Sequence, residues 1–419
     1  MREKTKILVL GATCNEISIV ERIQEMGMYA IVTDYYTDWR NSPAKYVADE
    51  AWNISWSDIS SLRKKCVECG IKGVMAGYSE FRVSSMIDLC DVLHLPCYIN
   101  RAQLEVTRDK LKFKNLCRQF SIPVVPDYGP DDEIVYPVII KPTDRAGGIG
   151  INVAYNAEEY SRYFDYAMSL SPSKTVIVED FIFDGMKFDS AYYIENSKSH
   201  LIETCDTVML HREKGSEKVQ NAWTYPSKHE QEYVEKVDGA VRRMLDSLNM
   251  PCGVANISFF YRDGIFYIFE TGFRLGGGHS FDYQRASGGV DYLEKMLEYA
   301  VRGICSDIKI ELPHDRGYAL TYNVYVEPSF SGEIDEIKGL DTIRKQSGLI
   351  TFVQMTQTGD SVEKGNPFML MKCTWHSSTL NHIIDHVNEV NKIVRVRVNG
   401  VDFAVCHQLG RKDILDRLN

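Results

Sequence analysis

Short apolar runs alternate with helix-period segments through residues 1–100, and no other feature restricts the fold as much. Residues 7–10, 30–33 and 73–76 read as strands. Between and after them Ile19, Ile23 and Met26, then Val83, Met86, Ile87, Cys90 and Leu93, recur at helical spacing and read as buried helix faces. Strands separated by helices lie parallel, because a parallel neighbour is reached only by a crossover. The expectation is a doubly wound parallel-sheet α/β domain over 1–100. Gly11 closes the first strand and Asp34 the second, so a dinucleotide site has to be weighed there. The run Gly11-Ala12-Thr13-Cys14-Asn15-Glu16 lacks the further glycines that admit a pyrophosphate. Gly11 is therefore read as a strand-to-helix turn, and nicotinamide redox chemistry as a distant alternative.

At 419 residues the chain is long enough for two or three packed units. A helix over 109–120 and strand-like runs at 138–141, 176–183 and 188–194 place an α+β unit at 101–308. The turn-rich remainder, 309–419, reads as a smaller C-terminal α+β domain. With 48 Lys+Arg against 58 Asp+Glu, the net charge of −10 argues against nucleic acid as a partner. No apolar run approaches the roughly 18 to 20 residues of a membrane span, and the start lacks a signal-peptide core. A cytoplasmic protein without a membrane partner is expected. Its 11 cysteines include a single Cys66-x-x-Cys69 pair and read as reduced thiols. No H-E-x-x-H motif occurs, and transition-metal catalysis is not expected.

The chemistry concentrates in Tyr136-Pro137-Val138-Ile139-Ile140-Lys141-Pro142-Thr143-Asp144-Arg145-Ala146-Gly147-Gly148-Ile149-Gly150. A strand delivers a lysine at its end, and a loop with Gly147, Gly148 and Gly150 follows. Such a loop can wrap a phosphate with its N–H groups while the lysine supplies charge. Three further segments come in a fixed order: Arg108-Asp109-Lys110 opening a helix, Val178-Glu179-Asp180-Phe181-Ile182, and Phe269-Glu270-Thr271-Gly272-Phe273-Arg274 ending a hairpin. This order resembles the ATP-grasp superfamily of carboxylate–amine ligases, which includes biotin carboxylase, the L-amino acid ligases and the large chain of carbamoyl phosphate synthetase.

The resemblance implies an ATP-grasp fold and a role for each matching residue. Lys110 and Lys141 match the phosphate-binding lysines, and residues 144–150 match the loop over the phosphates. Glu179, Phe181 and Ile182 match the hinge at the adenine. Lys187 stands where the family has a ribose-binding acid or histidine, with Asp189 as its substitute. Glu270 matches the carboxylate that bridges magnesium ions, and Arg274 the arginine that holds the acyl phosphate. The family's second metal carboxylate is Ser258 here, and its asparagine is Gly272. Gly276-Gly277-Gly278-His279 looks like the substrate side of the L-amino acid ligases.

The hairpin turn decides whether a metal face exists. A two-residue Asp263-Gly264 turn sets Ser258 opposite Phe269, on the far side from Glu270. A three-residue Arg262-Asp263-Gly264 loop pairs Asn256 with Glu270 and puts Asn256, Ser258 and Glu270 on one face. The second arrangement is expected. The resemblance thus implies an ATP-dependent ligase that forms an acyl phosphate from a small carboxylate and passes it to an amine, using ATP and Mg2+ or Mn2+, and it admits a homodimer. The alternative is a non-catalytic, nucleotide-binding regulatory protein.

Overall fold

The computed structural model describes residues 4–145, 148–182, 186–211, 218–305, 310, 312 and 315–418. Near the start, strands Glu50–Trp52, Tyr29–Thr33, Lys6–Leu10 and Gly73–Met75 line up in that order, all parallel. Ile7, Leu8, Val9 and Leu10 are each fully buried, as expected where helices cover both faces of a parallel sheet. The edge strand Glu50–Trp52 goes beyond the sequence expectation; Glu50 and its short length gave no apolar run. Gly73 is needed for packing, since an added Cβ would lie 2.9 Å from the Ala300 carbonyl oxygen on the helix Tyr292–Arg302.

Gly11 sits at φ +98°, its N–H donating to the Thr33 carbonyl at 2.9 Å. The space above it is taken by the Arg82 guanidinium, which pairs with buried Glu16 at 2.7 Å. Glu16 in turn accepts from the Thr13 N–H at 2.8 Å and hydroxyl at 2.6 Å. This turn is filled by protein and leaves no bed for a pyrophosphate.

In the middle of the chain the helix Lys110–Gln119 starts where Asp109 accepts from the N–H groups of Leu111 at 2.9 Å and Lys112 at 3.0 Å, a side-chain N-cap. A small antiparallel sheet, ordered Asn152–Ala154, Val138–Pro142 and Val176–Asp180, is backed by the helix Ala157–Leu170. Val138, Ile140, Ala154, Ala167 and Val178 form its separate core. The strand expected to reach residue 183 ends at Asp180.

A 12-stranded sheet occupies the rest. It runs Ile265–Gly272, Cys252–Arg262, Met186–Glu195, Lys198–His211, Lys218–Tyr225, and then directly into Tyr318–Val326 of the C-terminal segment. The tail is therefore hydrogen-bonded into the same sheet as the middle segment, although Trp375, Ile383, Val387 and their neighbours form a core of their own. Among the described residues no helix is long and apolar enough to cross a membrane.

Candidate active site

The hairpin Cys252–Arg262 and Ile265–Gly272 forms one wall of a cleft. Its turn corrects the expectation: Asp263 at φ 52° and Gly264 at φ 76° make a two-residue turn, with Arg262 paired to Ile265. Two left-handed residues in succession are what a type I′ hairpin turn requires, and Asp-Gly supplies them. Yet Ser258 still lands opposite Glu270. The register shifts between Ser258 and Phe259, so that Phe259 pairs with Ile268 and Ser258 with Glu270, leaving Phe269 as the extra residue of a bulge. The bulge returns Glu270 to the face that the turn alone would have denied it. Asn256 pairs with Gly272, not Glu270.

On its other edge Ser258 pairs with Asp189 of the strand Met186–Glu195. Asp189, Ser258 and Glu270 thus form one row across three strands, all facing the same side. Asp189 accepts from Lys187 Nζ at 2.9 Å, from the Thr207 hydroxyl at 2.5 Å and from the Ser258 hydroxyl. Lys187, expected near a ribose, is therefore paired with the acid two residues on.

This row lines an open cleft together with Arg274 and the loop Gly276, Gly277 and Gly278. Arg274 Nη1 donates to the Leu275 carbonyl at 3.1 Å, and its Nε is buried without a hydrogen-bond partner among the described residues. An unpaired buried guanidinium N–H costs free energy unless an anion meets it. Asn256 lines the cleft but uses its amide to donate to the Arg274 carbonyl at 2.6 Å, so it positions the arginine's backbone. On the same sheet, in the adjacent row through Asn256 and Ala191, Glu203 is buried and takes a hydrogen bond from Gln284 at 3.1 Å; burial pushes its carboxyl up to about 7.

The glycine loop is held from behind. Lys372 Nζ donates to the Gly277 carbonyl, and burial pushes that ammonium down to about 8. His279 is buried, stacks on Tyr78 at 4.8 Å between ring centroids, and shares a 3.1 Å hydrogen bond with Asn15. It thereby ties the loop to the N-terminal segment instead of lining the cleft.

The second cluster lies toward the small sheet. Lys141 Nζ reaches Glu179 at 2.5 Å, and Lys114 Nζ reaches the same carboxylate at 2.6 Å. Burial alone would raise the Glu179 carboxyl, but Lys141 and Lys114 outweigh it and hold it below the usual range. Lys110 Nζ donates to the Arg145 carbonyl at 2.5 Å, and burial lowers its affinity for a proton. Lys110, Lys114, Lys141 and Glu179 line a small recess with Phe113 and Phe269. Beyond the strand end, the Phe181 N–H donates to the Pro137 carbonyl at 3.3 Å and Ile182 is buried. Gly148 and Gly150 take φ of 77° and 78°, where a Cβ is strained; Gly147 lies outside the described residues.

Three residues at or beside these clusters escaped the sequence reading: Glu203 in the cleft, Lys114 in the recess and Glu80 near Arg274. Lys114 lies one turn after Lys110, and that same-face spacing was its available signal. Glu80, which opens the helix Glu80–Leu93, contributes a carboxyl raised by burial and lowered in turn by nearby Arg274, with Glu270 also close enough to raise it. Nothing local to residue 80 announces that proximity.

The donor set is compatible with magnesium and a nucleotide: hard oxygens in the row, lysines at the recess and an anion-seeking Arg274. The family model described as D-ala D-ala ligase C-terminus matches residues 130–273. A pyruvate carboxylase chain of Methanothermobacter thermautotrophicus is 23% identical over 353 residues, 77% of this chain and 69% of that protein. The carbamoyl phosphate synthase large chain of Thermotoga neapolitana is 22% identical over 335 residues, 74% of this chain and only 28% of that one. This chain therefore spans under a third of that relative. The crystal structure of L-amino acid ligase from Bacillus licheniformis matches with a TM-score of 0.74 at 16% identity, covering 95% of this chain and 100% of that one. The chain has the ATP-grasp fold, and its residues 130–273 match the D-ala D-ala ligase C-terminus model.

Proposed function

We propose that this protein is an ATP-dependent ligase. It transfers the γ-phosphoryl of ATP to a small carboxylate, releasing ADP, and then passes the acyl group to an amine, releasing phosphate. The observation that carries this reading is the buried Arg274 Nε, without a hydrogen-bond partner among the described residues, in the same cleft as the Asp189, Ser258 and Glu270 row. Arg274 holds the reacting carboxylate and then the acyl phosphate, whose added charge it meets more strongly than the ground state. Lys110 and Lys141 hold the nucleotide phosphates, the loop with Gly147, Gly148 and Gly150 covers them, and residues 179–182 form the adenine side.

Glu270, Asp189 and Ser258 are the residues that would hold Mg2+, or Mn2+ in its place. When bound, the ion neutralises phosphate charge and orients the transferring group. On this reading Asp189 restores from the neighbouring strand the second carboxylate that Ser258 does not supply. The separate four-stranded parallel sheet near the start supports a division at about residue 100, and the core around Trp375, Ile383 and Val387 one at about residue 308. An ADP-release screen with ATP and Mg2+, across amino acids and small carboxylates singly and paired with amines, tests the proposal. Carboxylate-dependent release is expected. ATP binding with no release across the panel would favour the regulatory reading instead.

A further inference from the structure

Away from the cleft, the strand Tyr318–Val326 ends beside the strand Val401–Cys406, with Tyr325 paired to Cys406 and Val326 to Val405. Glu327 lies two residues beyond Tyr325 and so returns to the face on which Cys406 stands, diagonally across the pair. An extended His407 would point to the opposite face from Cys406. Instead His407 takes φ +54°, uncommon for a residue with a side chain, and its carbonyl is held by Asn221 Nδ2 at 3.0 Å. As a result a carboxylate oxygen of Glu327, the sulfur of Cys406 and a ring nitrogen of His407 all lie within 4.8 Å of one another. Glu327 and His407 are exposed and Cys406 is half-buried and outside any disulfide.

We propose that Glu327, Cys406 and His407 bind a borderline-soft divalent cation of the zinc class, with water in the fourth position. One thiolate, one imidazole and one carboxylate match the donors that zinc takes, and magnesium or calcium would not select a thiolate. The Cys406 thiol loses its proton to solvent as the metal–sulfur bond forms, so affinity rises with pH. The ion joins the end of one strand to the turn that leads into the C-terminal helix Arg411–Leu418. This site is independent of the ligase reading.

Cobalt(II) titration of the full-length, reduced and chelator-treated protein tests it, because a thiolate ligand produces a sulfur-to-cobalt charge-transfer band in the near ultraviolet. One equivalent is expected to give that band. It should vanish in Cys406→Ser, and Glu327→Gln with His407→Gln, both at exposed positions, should weaken binding by roughly tenfold or more. A competing imidazole pair exists at His382 and His386, four residues apart on the helix Leu380–Ile393, with Nε2 atoms 3.1 Å apart. Changing both to glutamine should leave the band intact. Absence of the band in the wild-type protein, its survival in Cys406→Ser, or full affinity in the Glu327→Gln, His407→Gln variant would overturn the proposal.

Discussion

Arg274 and Glu203 face one cleft with opposite electrostatic histories. Arg274 keeps a buried donor without a partner among the described residues, so its value is realised when an anion arrives. Arg274→Ala should lower carboxylate-dependent ADP release by about two orders of magnitude or more, while ATP affinity by calorimetry stays within a few-fold. Equal loss of both would place Arg274 on the nucleotide instead. For Glu203, burial raises the carboxyl to about 7, so the folded state holds a proton that the unfolded chain gives up earlier. Its contribution is full below the ordinary carboxylate range and declines as pH rises toward 7. Above that, Glu203→Gln should be more stable than the wild type by up to about 3 kcal/mol, with the gap closing toward pH 4.5. Urea unfolding across that range measures it, and a gap independent of pH would show that Glu203 does not titrate there.

At the scale of strands, the row of Asp189, Ser258 and Glu270 depends on two registers at once. Ser258 faces Glu270 only because of the bulge at Phe269, and it faces Asp189 through the pairing with Met186–Glu195. Asp189→Asn removes one carboxylate charge from this row and should weaken magnesium binding in the nucleotide complex by roughly tenfold. Ser258→Glu on that background should recover most of the loss. If the magnesium dependence of ATP binding is the same in all three proteins, the row is not the metal face. The turn was legible locally, since Asp-Gly is the strongest short hairpin signal. The bulge at Phe269 carries no such local signal, so the turn alone does not reveal that Glu270 shares a face with Ser258.

Over the whole molecule, the cleft is assembled from distant parts of the chain. His279 joins the glycine loop to Asn15 and Tyr78, and Lys372 joins it to the C-terminal segment. Burial and the Lys372 charge hold the His279 imidazole well below its ordinary affinity for a proton, so it stays neutral when folded. The stability it confers is present above the ordinary imidazole pKa of about 6.5 and is lost as pH falls below it, by up to about 1.4 kcal/mol per pH unit. Because Glu203 works in the opposite direction over part of this range, the measurement belongs in a Glu203→Gln background. There, His279→Phe should flatten the pH dependence of unfolding below 6.5; an unchanged slope would assign it to another group.

What the amino-acid sequence determined by itself is local or strictly ordered. The alternation of apolar runs and helix faces leads to the parallel sheet, Asp109 caps its helix, and Gly148 and Gly150 occupy left-handed positions. The order of Lys110, Lys141, Glu179, Glu270 and Arg274 points to the ATP-grasp fold. Tertiary structure alone decided which side chains meet. The edge strand Glu50–Trp52, the bulge, the pairing of Asp189 with Ser258, the double lysine grip on Glu179 and the approach of Glu80 all depend on contacts between segments far apart in the chain. The same holds for the continuation of the sheet into the C-terminal segment, because backbone pairing between distant strands leaves no spacing that a sequence displays.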